Sequence, residues 1–419
     1  MIFHDLKYPV KETAFLTGSS VVTRAIALLF SIVLARTLSV SEFGLFKYLA
    51  TLATVYAFAV TGIPIAITKF IGQGRTDKIA ITEYLTASIA AGAILFLVLS
   101  IIIMIFEMHS ALLIIFLFAI FVDSIYLGFI RGLLNYIKLN GYKLVENIIQ
   151  LVMLLMVLLI YQKISLSLSV IFFSFAGVIS FLIFEIPRPE FKVFFKISKE
   201  KMSRVIKYSI PITIGAIGWT VMCSANTVFI ERFKGAESVG FYSVALTIGQ
   251  VFTFFPDSIS TIIMPKVAGI KDKTKISRPL KLATIASVFV SIAILILVLV
   301  FKEFILATVF SKKYMPALSV ILPLAIGQIS LAIYFIYASV WQGLGKPEIP
   351  SIVISIAAVL NVIGSYLLTK SYGIYGASVS LAITSAIALL LIWGAWIRWN
   401  RTLRTPQNIA PEFADTSKE

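Results

Sequence analysis

Three ionisable side chains interrupt long apolar runs of this chain: Arg24, Asp123 and Asp257. Arg24 stands about ten residues from either end of its run, some ~15 Å deep at the rise of an α-helix and beyond easy snorkelling reach. Thr17, Ser20, Ala27 and Ser31 lie at minus 7, minus 4, plus 3 and plus 7 from it, so a small and polar stripe shares its helical face. A charge held that deep faces a wet cavity or a partner of opposite sign. Arg24 is therefore either an anion contact lining a cavity, with Thr17, Ser20 and Ser31 beside it, or half of an ion pair inside the N-terminal half. Asp123 and Asp257 each have three possible uses: neutralising an arginine, binding Na⁺ or a proton, or capping a break in a helix. Pro256 next to Asp257, with Ser258, Ser260 and Thr261 following, points to a distorted helix whose freed carbonyls need partners.

Asn226, Gln250 and Gln328 are uncharged polar residues inside apolar runs, suited to interhelical hydrogen bonds or to contact with a polar substrate. Lys47, Arg131, Glu146 and Glu185 fall near run ends, where interfacial solvation or capture of a substrate headgroup would explain them. Metal chemistry has little to work with, because the chain has one cysteine, Cys223, and two histidines, His4 and His109. A membrane enzyme would need a positioned acid, base or metal and a sizeable loop, and no acidic pair flanks a loop here. No cofactor is expected, and a coupling ion, Na⁺ or H⁺, stays open.

These residues must be positioned by membrane helices. Of the 419 residues, 59% are hydrophobic and 13% charged, with mean hydropathy +0.99, against about 25% charged in soluble chains. Twelve runs of roughly 20 residues are each long enough to cross about 30 Å of hydrocarbon, and a helix satisfies its own backbone there. The spans are predicted near 15–35, 44–67, 83–106, 111–130, 143–161 and 167–185, then near 208–230, 240–264, 282–301, 316–340, 350–369 and 374–397. With the N-terminus in the cytoplasm, 26 of the 36 Lys and Arg fall on the inner side and 9 on the outer, which favours both termini inside. The net charge of +16 is then orientation and contact with anionic lipid, not nucleic-acid binding.

The second six spans repeat the first. A shift of 196 residues pairs Gly44 with Gly240, Thr51 with Thr247, Phe58 with Phe254 and Ile67 with Ile263, without a gap across about 55 residues. A shift of 211 pairs Gly132 with Gly343, Tyr161 with Tyr372 and Ser169 with Ser380. An even number of helices per repeat makes the halves parallel, with a site expected between them. The expected organisation is a six-helix bundle over 1–186, an amphipathic cytoplasmic linker over 187–207, a second bundle over 208–397 and a cytoplasmic tail over 398–419. Under the 196 shift Arg24 corresponds to Thr220, beside Trp219, so an anion site would belong chiefly to the first half.

The run Leu34-Ala35-Arg36-Thr37-Leu38-Ser39-Val40-Ser41-Glu42-Phe43-Gly44-Leu45-Phe46 resembles the opening of polysaccharide flippases of the multidrug/oligosaccharidyl-lipid/polysaccharide exporter superfamily. The runs Gln342-Gly343-Leu344-Gly345-Lys346-Pro347, Leu360-Asn361-Val362 and Tyr372-Gly373-Ile374-Tyr375-Gly376-Ala377-Ser378 resemble the same family's last two helices. The resemblance implies an all-α membrane protein of two six-helix bundles around a central cavity. It also implies alternating access that carries polyprenyl-phosphate-linked oligosaccharide from the cytoplasmic to the outer leaflet of the cell membrane. Arg24 would then contact phosphate, and membrane lipids and glycan-assembly proteins would be partners. A cation-coupled exporter of drugs or metabolites shares the plan and is the alternative.

Overall fold

The computed structural model describes residues 10–73, 77–187, 190–191, 193, 198–268 and 273–402. Most of the 187–198 stretch, parts of the two basic loops near 75 and 271, and the 403–419 part of the tail lie outside the described residues. Every regular element among the described residues is helical. The first lobe holds α1 (Val10–Thr37), α2 (Val40–Ala57), α3 (Gly62–Gln73), α4 (Lys78–Phe106), α5 (Ser110–Gly132), α6 (Tyr136–Tyr161) and α7 (Leu166–Glu185). The second holds α8 (Lys199–Gly249), α9 (Phe254–Ala268), α10 (Ser277–Phe304), α11 (Leu318–Gly343) and α12 (Glu348–Thr402). Thus α8 starts at Lys199, inside the stretch read from sequence as linker.

Two of these helices are hairpins. α12 doubles back at Gly373, whose φ of 60° and ψ of −138° suit glycine alone. Its two arms then touch in antiparallel register, where Ser380 Oγ (3.1 Å) and Thr384 Oγ1 (3.4 Å) both donate to Asn361 Oδ1. α8 breaks in the same way at Gly235, with φ 79°. A π-helical turn (Ile305–Ser311) and a 3₁₀ turn (Lys312–Ala317) separate α10 from α11. These three interruptions divide the eight long apolar segments into eleven crossings, and α1 makes twelve. The fold is a twelve-helix membrane architecture of two six-helix bundles.

Helix starts are set by side chains that satisfy the exposed first-turn amides. Ser39 and Glu42 form a reciprocal capping box at α2, and Asp77, Asn135, Ser165 and Ser198 cap α4, α6, α7 and α8. The repeat is visible in three dimensions. The second crossing is broken by a 3₁₀ turn at Phe58–Val60 and the eighth by one at Gln250–Thr253, close to equivalent positions. Gly44 and Gly240, paired by the 196 shift, meet where α2 crosses α8. A Cβ on Gly44 would lie 1.7 Å from the Ala236 carbonyl oxygen, and one on Gly240 would lie 2.4 Å from that of Val40. Only hydrogen at both positions allows this backbone-to-backbone approach.

Beside that crossing, the two lobes cap each other's helix ends. Arg36 Nη1 donates to the carbonyls of Thr308 (2.5 Å) and Val309 (3.2 Å). In return Lys313 Nζ donates to the carbonyls of Arg36 (3.2 Å) and Leu38 (2.5 Å), and Tyr314 Oη to that of Ala35 (2.9 Å). The last carbonyls of a helix have no partner within it, so each lobe supplies what the other lacks. The two lobes are joined at this end.

Candidate substrate cavity

About midway along the helices, a cavity of ≈ 490 Å³ opens between α1 and the second lobe. α1 contributes Arg24, Ala27 and Leu28. The opposite walls are Trp219, Met222, Cys223, Tyr242, Leu246, Thr247 and Gln250 from α8 and the turn after it, Phe254 and Asp257 from α9, and Gln328, Leu331 and Phe335 from α11. The 3₁₀ turn Gln250–Thr253 swings Gln250 and Thr253 toward the cavity just before Pro256 and Asp257. Trp219 stacks edge-on against Phe335, with ring centroids 4.9 Å apart.

Arg24 is the centre of the arrangement. Its Nη1 lies 2.8 Å from Asp257 Oδ2, and its guanidinium sits 5.6 Å from the Phe254 ring centroid. The two side chains remain 42% and 29% exposed. The salt bridge therefore spans the two lobes, where the sequence reading had allowed a pair within the first half. A half-open pair of this kind is a weak strut, because solvent competes for both charges. It is also a cation that can change partner without being dragged out of a closed pocket.

The residues selected from sequence divide in two. Arg24, Gln250 and Asp257 converge on the cavity, and so does Gln328. Asn226 does not: it is buried, accepts a hydrogen bond from Ser365 Oγ and belongs to a network between α8 and α12 that includes Asn361 and Ser380. Ser31 is buried away from the cavity, and among the described residues its hydroxyl has no hydrogen-bond partner. The side chains of Thr17 and Ser20 lie outside the described ones. Lys47 sits 5.3 Å from the Phe43 ring, and Arg131 is exposed at the end of α5. Among the described residues, the one cation on the cavity comes from the first half, as the unduplicated arginine predicts, while most of the facing wall is built by the second half.

Asp123 serves the first lobe instead. Lys143 Nζ bridges Asp123 Oδ2 at 2.6 Å and Glu146 Oε2 at 2.9 Å. Glu185 is tied still more tightly, accepting from Tyr126 Oη (2.7 Å), Lys138 Nζ (2.7 Å) and the amides of Glu190 and Phe191. Glu146 and Glu185 are thus structural anchors, not free headgroup contacts. Lys143→Met would leave two carboxylates facing each other without a cation. The charged hydrogen bonds at stake are worth about 1.5–3 kcal/mol. Thermal melting in detergent should show Tm lower by several degrees, with the Asp123→Asn/Lys143→Met double variant recovering part of the loss; an unchanged Tm in the single variant contradicts this role.

With the geometry in place, comparison with known proteins decides the family. The family model described as polysaccharide biosynthesis protein matches residues 10–271, well over half of the chain. The chain belongs to this polysaccharide biosynthesis family. A second model, MatE, matches residues 211–367, in keeping with membership of the multidrug/oligosaccharidyl-lipid/polysaccharide exporter superfamily. An uncharacterized membrane protein of Methanocaldococcus jannaschii is 26% identical over 407 residues, covering 91% of this chain and 96% of that protein. A Haloferax volcanii protein named "Probable low-salt glycan biosynthesis flippase Agl15" is 27% identical over 188 residues, covering 44% of this chain and 39% of its own length. Among solved structures, a lipid II flippase MurJ in an inward closed conformation superposes with TM-score 0.76 at 15% identity, covering 96% of this chain and 94% of that one. This polysaccharide biosynthesis family member therefore has the two-lobed fold of that structure, with Arg24 and Asp257 meeting where its lobes face each other.

Proposed function

We propose that the protein is a flippase that turns polyprenyl-phosphate-linked oligosaccharide from the cytoplasmic to the outer leaflet of the plasma membrane by alternating access. Arg24 carries the proposal: a guanidinium at mid-membrane depth in the cavity between the lobes, held by a carboxylate of the opposite lobe. The glycan names of relatives and the family match support it. A phosphate or diphosphate cannot cross hydrocarbon unpaired, since stripping water from each charged group costs several kcal/mol or more. In the cavity it competes with Asp257 for Arg24, and the exchange releases the ion pair between α1 and α9. Binding of headgroup and separation of the lobes are then one event. The prenyl tail stays in lipid on the α1–α9 side, while the glycan remains in the wet interior.

The excess of Lys and Arg on the linker side supports an orientation with both termini in the cytoplasm. The joined end, where Gly44 meets Gly240, then faces outward and is the closed side of the proposed cycle. Transport involves no bond breaking and no cofactor, and Asp257 is the carboxylate at which a proton or Na⁺ would couple. Membrane lipids and glycan-assembly proteins are its expected partners. Cells lacking the gene should accumulate the lipid-linked glycan on the inner leaflet, with unchanged drug sensitivity.

A second reading, cation-coupled export of a drug or metabolite, draws on the MatE match and on the cavity carboxylate of Asp257. Drug hypersensitivity with normal glycan export in the same cells would overturn the flippase proposal in its favour.

A further inference from the structure

We infer that the cavity wall centred on Trp219 is a subsite for an uncharged sugar, the one joined directly to the substrate's phosphate. The inference rests on the reading that Arg24 takes that phosphate. Trp219 is 39% exposed and lines the cavity, and its ring is fixed edge-on by Phe335 at 4.9 Å. A held indole is a flat, amphipathic platform, suited to the apolar C–H face of a pyranose ring. Gln250 and Gln328 stand on the same cavity, and among the described residues neither side-chain amide hydrogen-bonds to protein. Each amide offers both donors and an acceptor, the complement of hydroxyl and acetamido groups. The hydroxyl of Thr247 already donates to the Ser243 carbonyl at 2.7 Å, so it meets a ligand as an acceptor.

Charge sets the class of sugar. Among the described residues the formally charged groups on this cavity are Arg24 and Asp257, and they are paired with each other. Once phosphate has claimed Arg24, a uronic acid would bring a second anion with no cation to meet it, and burying such a group is unfavourable. The amine of an unacetylated amino sugar would occupy the Asp257 carboxylate that the phosphate has just released, and so displace the proton or Na⁺ that couples there. A sugar bearing only hydroxyl or acetamido groups avoids both conflicts. The cavity, at ≈ 490 Å³, is of the size that holds a small-molecule ligand, so further sugars of a long glycan must lie outside this wall.

The test is calorimetric titration of the purified full chain in lipid nanodiscs with three probes: farnesyl diphosphate, farnesyl-diphospho-N-acetylglucosamine and farnesyl-diphospho-glucuronic acid. The acetamido sugar should tighten binding about tenfold over farnesyl diphosphate, and the uronic acid should add nothing. Trp219→Ala should abolish the sugar increment and Trp219→Phe should keep most of it. If Trp219→Ala fails to fold, Gln328→Leu carries the same test, with a severalfold loss of the increment expected. Equal affinity for the sugar-bearing and sugar-free probes, an equal gain from the uronic acid, or a full increment in Trp219→Ala or Gln328→Leu would overturn the subsite. Farnesyl diphosphate binding that is indifferent to Arg24→Ala would instead overturn the flippase reading on which the subsite rests.

Discussion

Arg24→Ala should insert at normal abundance and lose most glycan export. The arginine is neither a packing residue nor a tight structural pair: it is 42% exposed and its partner sits on the other lobe. Under the proposed function, alanine removes a charge-assisted hydrogen bond to the translocated anion, worth about 1.5–3 kcal/mol, or about 10- to 150-fold in turnover. Lysine should recover only part, because a point charge cannot reproduce the guanidinium's planar fork. A strut between lobes would also fail in Arg24→Ala, so a second variant separates the roles. Arg24→Gln/Asp257→Asn keeps two polar groups facing each other and removes both charges. A strut would survive that change and an anion contact would not, so export should stay near the Arg24→Ala level. Normal glycan flux in the double variant would take Arg24 out of the substrate path.

Gly44→Ala should open the end at which the lobes meet. The added methyl would lie 1.7 Å from the Ala236 carbonyl oxygen and 2.7 Å from the Gly240 amide nitrogen, and these are backbone atoms that cannot swing aside. The clash exists only while the lobes are closed at this end, so it penalises that state selectively. Overpacking of this kind costs about 1–3 kcal/mol, a shift of about 5- to 150-fold in the balance between closed and open forms. Cys223 reports the change directly, since it is the one cysteine of the chain and lines the cavity. In the natural protein a membrane-impermeant maleimide should label it from the cytoplasmic side and scarcely from outside. In Gly44→Ala, labelling from outside should rise at least severalfold. Gly394→Ala, where an added Cβ meets nothing within 4 Å, is the control. Outside labelling that stays at the natural level in Gly44→Ala contradicts closure at this end.

Much of this architecture can be read without coordinates, and particular residues show where reading stops. Hydropathy locates the crossings because a helix in lipid must be apolar along its whole length, and the 196-residue shift pairs Gly44 with Gly240 before their contact is known. Depth is equally legible, so Arg24, Asp123 and Asp257 stand out together. Which carboxylate meets the arginine does not follow, because hydropathy fixes how deep a residue lies and says little about its azimuth across lobes. Asp257 reaches Arg24 while Asp123 is taken by Lys143. That lysine escaped notice because the fifth span was expected to begin there, whereas Asn135, accepting from the Lys138 amide, starts α6 two turns earlier. The aromatic wall is the other omission: Trp219 and Phe335 sit in apolar runs where an aromatic facing lipid looks the same in sequence as one facing the cavity. The signal available was Trp219 beside Thr220, the position equivalent to Arg24.

The reciprocal capping of α1 and the π-helical turn by Arg36, Lys313 and Tyr314 constrains how this protein can vary. All of its acceptors are main-chain oxygens, at Ala35, Arg36, Leu38, Thr308 and Val309. Exchange of the side chains at 308 or 309 leaves those oxygens where they are, so this junction should tolerate broad drift in spelling there. A one-residue deletion in the turn would rotate every acceptor away from its donor while leaving composition almost untouched. The joining of the lobes at this end is thus inherited as a count of residues more than as their identities.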